Sequence, residues 1–399
     1  MTLRIATATL HRQAAGSILD QQSRLAGLQD QLARGIRLTR GADDPAGMAT
    51  AVRLEDALAG IERDRSNITT LRRRLGFEES ALEQVTGTLQ RVRELTVQGA
   101  NASQSAESRQ QIALELTARL EELAALANSQ DGAGRYLFGG TRDAEPPFAK
   151  SGVEFVYVGN DQSRRIDIGG NRELPDADPG SDIFLRIPNG NGTFRMSADA
   201  ANTGSATVTG AQRLAGGSYA GQSLSLSFAA GQYSVLDAGG ATLATGPYAE
   251  GEAIDVGGIS VTLTGQPADG DRFQVDPSSG QSLFTTVAQL ATALADPDAG
   301  AAASARRHVT VQNGLDELDQ AIDHVLAVRG AVGARLSVLD QSEQQIDAAE
   351  VELSRSLSGI RDLDYAKATT ELALQLTGLE AAQQSYLRVQ GLSLFRLLG

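Results

Sequence analysis

Three histidines, His11, His308 and His324, are the side chains of this 399-residue sequence best suited to proton or metal chemistry near neutral pH. None stands at a metal-type spacing from another, and cysteine is absent, which removes thiol nucleophiles, disulfides and Cys-ligated metals. His324 directly precedes the apolar helical position Val325, which places it at the surface. The glycine-rich run Asn189-Gly190-Asn191-Gly192 lacks the lysine and the following helix of a phosphate loop and reads as a turn. Asp176, Asp178 and Asp182, interleaved with Pro175, Pro179 and Gly180, do not follow the residue order of an EF-hand loop and carry no calcium assignment. Paired carboxylates elsewhere fall on helical faces, where solvated charge is the default, and three scattered histidines supply no Ser-His-Asp set. The sequence thus predicts no catalytic residue, no metal site and no cofactor. It does not read as an enzyme.

Charge narrows the partners. With 35 basic and 49 acidic residues the formal net charge is −14, so a polyphosphate backbone is repelled and general nucleic-acid binding is excluded. The one basic cluster, Arg72-Arg73-Arg74, falls between the seam positions Ile68 and Leu75, on the outward, solvated or salt-bridged face of its helix. No apolar run of about 18 residues exists, which predicts no membrane insertion. The N-terminus has no apolar core of signal-peptide length, so export, if any, would proceed without a cleaved signal.

The elements are long and periodic. Leu318, Val325, Val332, Leu339, Ile346, Leu353 and Ile360 recur every seven residues, with Ile322, Leu336 and Leu357 as companions. A heptad sustained this far predicts one continuous helix, roughly 65 Å long at about 1.5 Å per residue. Arg329, Glu343 and Glu350 occupy the remaining companion positions, an uneven seam that fits a mixed bundle better than a two-stranded zipper. A second heptad, Ile61, Ile68, Leu75, Leu82 and Leu89, accompanied by Leu71, Val85 and Val92, begins after Asp44-Pro45, an N-cap followed by a first-turn proline. Ser105 can cap a third helix carrying Ile112, Leu116, Leu120 and Leu123, stopped by Gly132 and Gly134. Nine of the ten prolines lie between Pro146 and Pro297, and in this stretch the period drops to two, as in Leu224, Leu226 and Phe228 or Ile259, Val261 and Leu263.

The predicted fold is α+β and multidomain: a long antiparallel helical bundle or coiled-coil rod formed by both chain ends, with an inserted antiparallel β-rich domain. Residues 43–145 and 283–361 form the bundle, 146–282 the insertion, and 1–42 and 362–399 two terminal helices. The terminal helices carry Leu3, Leu10, Ile18, Leu25, Leu28 and Leu32 at one end, and Leu372, Leu376, Leu379, Leu387, Leu394 and Leu397 at the other. Two amphipathic helices bury one seam and leave apolar surface open, so these leucines and Ile18 are the expected assembly surface.

These residues resemble the bacterial flagellar axial proteins. Ile36-Arg37-Leu38-Thr39-Arg40-Gly41-Ala42-Asp43-Asp44-Pro45-Ala46-Gly47 is similar to the segment after the first helix in flagellins and hook-junction proteins. Glu94–Asn101, Asp362-Leu363-Asp364-Tyr365-Ala366 and the ending Leu394–Leu398 match the same group. Tyr136-Leu137-Phe138-Gly139-Gly140-Thr141 and the proline after Asp43-Asp44 resemble the hook-filament junction members, whereas flagellins more often carry alanine at that proline. The match covers about 1–145 and 306–399; the β-rich insertion resembles the family only loosely, as at Gly265–Phe273.

The resemblance implies a structural subunit of the extracellular flagellum that joins the hook to the flagellin filament. It further implies export through the flagellar type III route and assembly of copies into a ring. Contacts to the proximal hook-junction protein and to flagellin would follow, and a cytoplasmic export chaperone would bind the C-terminal helix. Flagellin itself is the nearest alternative, and a coiled-coil adhesin or phage-tail component a more distant one.

Overall fold

A computed structural model describes the backbone of residues 2–42, 44–152, 154–297 and 300–398, and their side chains except at 2–8, 10, 11 and 389–398. Seven helices are present among the described residues: α1 (Thr2–Arg34), α2 (Pro45–Ala100), α3 (Ala106–Ala127), α4 (Gly180–Phe184), α5 (Leu283–Ala295), α6 (Ala301–Arg361) and α7 (Tyr365–Leu398). An antiparallel β-rich segment is inserted between α3 and α5. The chain separates into two compact units, one of residues 1–66 and 342–399 and one of residues 67–341.

Helix boundaries follow their capping residues. Asp44 Oδ1 accepts the Gly47 N–H at 2.8 Å, the N-cap bond expected of an Asp-Pro start. Ser105 Oγ accepts the Ser108 N–H at 3.2 Å and opens α3. The helix stops at Asn128, before the glycines, because the Asn128 side chain brackets Phe148, donating to its carbonyl and accepting its N–H, both at 2.9 Å.

In the larger unit, the seams of α2 and α6 lie dry. Ile68, Leu71, Leu75, Leu82, Val85, Leu89 and Val92, with Leu318, Val325, Val332 and Leu339, are fully buried. At about 1.5–3 kcal/mol for each side chain removed from water, this seam dominates the stability of the arm. Ion pairs flank it: Arg93 with Asp319 at 2.5 Å, Arg329 with Glu79 at 2.7 Å and Arg72 with Asp340 at 2.9 Å. Later positions on α2 meet earlier ones on α6, so the two run antiparallel. The exposed pairs Arg93–Asp319 and Arg72–Asp340 contribute only about 0–1 kcal/mol each, and they act on register more than on stability. Arg329, an interruption of the heptad in sequence, is thus one rung of the ladder.

Helix α5 packs on α3 and seats two leucines against glycines: Leu294 lies where a Cβ on Gly99 would fall, 2.6 Å from its Cδ1, and Leu290 sits likewise against Gly314. A bundle of α2, α3 and α6 thereby gains a fourth helix.

The insertion holds two cores. In the first, the rings of Phe138, Phe148, Phe184 and Phe284 pack with centroids 5.2–5.8 Å apart, edge to face except for the stacked pair Phe184–Phe284, joining the 136–141 motif, the hairpin Phe148–Ser151/Glu154–Tyr157, α4 and α5. The Phe138 carbonyl accepts the Gly180 N–H at 2.8 Å and the Tyr157 hydroxyl at 3.1 Å. In the second, a five-stranded sheet and a three-stranded sheet share one core. The five strands lie in the order Thr242–Pro247, Gln232–Asp237, Leu224–Ala229, Arg272–Pro277, Phe194–Ala198, and the three in the order Ala253–Val256, Ile259–Thr264, Thr207–Arg213. Leu224, Leu226 and Phe228 point inward while the serines between them are half-buried, as the period of two predicts. Asn189–Gly192 is the turn read from sequence, closed by the Gly192 N–H on the Asn189 carbonyl at 3.3 Å.

Candidate assembly interface

In the smaller unit, two motifs of distant sequence position meet. Ile36 bridges to Asp362, the Arg37 N–H donates to the Arg361 carbonyl at 2.7 Å, and the Leu363 N–H donates to the Gly35 carbonyl at 3.1 Å. Gly35 ends α1 with φ +70°, in the left-handed region where a side chain is strained, and Tyr365 Oη lies 2.8 Å from where its Cβ would be. Asp364 caps α7 by accepting the Lys367 N–H at 3.1 Å. Arg65 pairs with Asp347 at 2.7 Å and with Glu350, and Arg361 with Glu55 at 3.1 Å.

Helices α1 and α7 pack on one another and cover each other only in part. Ile18, Leu25, Leu28, Leu32, Leu372 and Leu379 are half-buried. Leu376 is 41% exposed and Leu387 64%. The side chains of Leu3, Leu10, Leu394 and Leu397 lie outside the described residues. Leu19 (64% exposed) and Leu374 (69%) add to the open surface and were not expected, because they fall off the stripe that heptad spacing follows. Among the described side chains of α1 none is fully buried, and in α7 only Ala368 is, in contrast to the dry seam of α2. Covering each such leucine offers about 1.5–3 kcal/mol.

Of the other groups singled out in the sequence, the His11 side chain lies outside the described residues, and the rest lie in the larger unit. Arg74 is 5% exposed, which corrects the outward placement of the arginine cluster. It donates to Asp131 at 2.7 Å and to the Tyr136 carbonyl at 3.0 Å, and pairs with Asp176 at 3.2 Å. The inward turn arises because the carboxylates of two loops supply a charged partner beside the seam. Asp178 pairs with Arg335 at 2.7 Å and Asp182 with Arg186, so the three aspartates of this segment face arginines. His324 is half-buried, not superficial, with Nε2 2.7 Å from the Asp182 carbonyl. Burial, followed by the charge of Arg307, pushes the His308 ring below its ordinary value. Among the described residues no group of three His, Asp or Glu side chains is placed to hold a metal ion.

Among the described residues Glu78 is the one strongly displaced carboxyl. It is fully buried, its Oε1 accepts the Asp178 N–H at 2.9 Å, and its Oε2 has no hydrogen-bond partner among the described residues. Burial, and next the charge of Asp178, push it up to about 8. The folded chain therefore keeps this proton where the unfolded chain, with a carboxyl near 4.5, has released it. Stability from this group is full below about 4.5 and is lost as pH rises through about 8. Glu78→Gln is expected to match the parent at pH 4 and to exceed it by up to about 4 kcal/mol above pH 8. Urea unfolding across that range checks it, and parallel pH profiles of the two proteins would refute it.

Comparison with known proteins places the chain in a family. The bacterial flagellin N-terminal helical region matches residues 5–143 and the C-terminal helical region residues 315–398. The solved FlgL of Xanthomonas campestris is 37% identical, with a TM-score of 0.73 over 76% of this chain and 99% of that one. The chain belongs to the FlgL family. The flagellar junction protein FlgL of Legionella pneumophila is 27% identical, with a TM-score of 0.68 over 72% of this chain and 98% of that one. The flagellar hook-associated protein 3 of Escherichia coli K12 is 24% identical over 99% of both chains. Flagellins match more distantly, this chain covering 73% of a Salmonella flagellin at 23% identity. The reading as a FlgL-type junction subunit therefore stands over the flagellin alternative. Members of this family are structural components of the flagellum, and no helix among the described residues is long and apolar enough to cross a membrane.

Proposed function

We propose that this chain joins the hook to the flagellin filament, with the open faces of α1 and α7 as the surface through which copies meet each other and their neighbours. The observation that carries the reading is the contrast within one molecule. In the larger unit Ile68, Leu75, Leu82 and Leu89 of α2 and Leu318, Val325, Val332 and Leu339 of α6 are fully buried, while Leu19, Leu374, Leu376 and Leu387 stand open on α1 and α7. Apolar surface of that extent marks an interaction site.

In this reading residues 1–42 and 362–399 are the polymerisation segments, 43–145 with 283–361 the supporting bundle, and 146–282 the outward insertion. Leu3, Leu10, Ile18, Leu25, Leu28, Leu32, Leu372, Leu376, Leu379, Leu387, Leu394 and Leu397 line the contact. Copies close into a ring between the proximal hook-junction protein and flagellin. Before export through the flagellar type III route, a cytoplasmic chaperone covers the C-terminal helix. No catalytic step is assigned. Deleting the coding sequence is expected to leave hooks that carry no filament, with filaments restored when the chain is supplied again; normal filaments in the deletion strain would overturn the reading.

A further inference from the structure

Within the larger unit, α2, the turn 131–135 and the segment 164–166 enclose a cavity of ≈ 370 Å³ whose lining is cationic in a chain of net charge −14. Arg73, Arg74, Arg135 and Arg164 reach it, against the carboxylates of Asp131 and Asp176. Arg74 is held by Asp131, Asp176 and the Tyr136 carbonyl. The other three keep donors open. Arg164 uses Nε and Nη2 on Asp176, at 2.8 and 2.6 Å, and Nη2 on Asp143 at 3.4 Å, leaving Nη1. Arg135 reaches Asp143 through Nη1 alone, at 3.2 and 3.3 Å. Arg73, exposed, makes no hydrogen bond or ion pair among the described residues.

Each guanidinium carries five N–H donors in a rigid plane matched to a two-oxygen anion. Asp143 and Asp176 hold two of these planes in position, so the site is preorganised. Phe77, 39% exposed and lying over Gly132, and Ile166 form an apolar wall beside the donors.

We propose that this cavity receives the carboxylate of an aspartate or glutamate from a neighbouring copy of this chain, the apolar wall covering the methylene stem. The inference rests on the assembly reading above. Charge complementarity selects the occupant: each copy carries 49 acidic residues, and an assembly of copies brings such side chains to every neighbour. Arg73 and Arg135 are then positioning residues of an interface separate from α1 and α7.

The test places a photo-crosslinking amino acid at Ala133, an exposed position in the cavity lining, in the full chain on intact flagella. The expected product has the mass of two copies, with the partner peptide containing aspartate or glutamate. Arg73→Glu should lower its yield by about tenfold or more, with Arg73→Lys intermediate and the circular dichroism of the soluble chains unchanged. Protein present on flagella with no such product, adducts to a different protein, or full yield from Arg73→Glu would overturn this proposal alone. Citrate binding to the soluble chain that Arg73→Glu abolishes, with no adduct on flagella, would make this a small-anion site and also overturn it. Absence of the protein from flagella would overturn the assembly reading and this inference with it.

Discussion

Replacing Leu376 and Leu387 together by lysine is expected to reduce incorporation into flagella by about a hundredfold or more, with the soluble chain still folded. Both side chains are more than two-fifths exposed in the single chain, so a charged head there stays in water and costs the monomer little. In an assembly whose contact is the apolar face of α7, the same heads lose that water. Two leucines contribute roughly 3–4 kcal/mol when covered, which converts to a factor of several hundred, and a buried unpaired ammonium deepens the loss. Quantitative blotting of sheared flagella measures incorporation, and urea unfolding of the purified chain measures the fold. Normal incorporation would remove this face from the contact. A loss of stability equal to the loss of incorporation would show that these leucines serve the monomer.

The largest effect on the monomer is expected from Arg74→Met. Arg74 places one buried guanidinium between Asp131 and Asp176. Burial pushes the Asp131 carboxyl up, but the Arg135 and Ala133 N–H groups and the charge of Arg74 together hold it below its ordinary value. Methionine fills the volume and leaves Asp131 without its cation, while Asp176 keeps Arg164. Breaking one side of a buried pair costs about 3–5 kcal/mol, more than a comparable change at an exposed rung such as Arg93–Asp319. The urea midpoint of Arg74→Met against Arg93→Met reads the difference. Equal midpoints would mean that water reaches the Arg74 site.

Helices and their starts are legible in the sequence because their causes are local. Seven-residue spacing of Leu318 to Ile360, the Asp44-Pro45 cap and the Ser105 cap each depend on side chains within a turn or two. Contacts between distant segments leave weaker marks. Nothing near Ile36 announces Asp362, although both lie in motifs singled out for their family likeness. The division of the insertion into an aromatic core and a two-sheet core depends on which strands pair, and alternation along one strand does not encode its partner. One signal stood in plain view. Glu78 falls three residues after Leu75, the companion position that Leu71, Val85 and Val92 hold elsewhere in the same seam. A carboxyl at that position marks a buried charge site, and Arg74 beside it turns inward to the same cluster. The arginine run hid this, since three consecutive basic residues look solvated until their separate partners, Asp340 for Arg72 and Asp131 for Arg74, are known.

The central claim, a subunit placed where hook and filament meet, is tested most directly by immunogold labelling of intact flagella with antibody to residues 146–300. The account predicts a single band at the hook-filament boundary and none beyond it. Label along the whole filament, or no label on flagella at all, would contradict it.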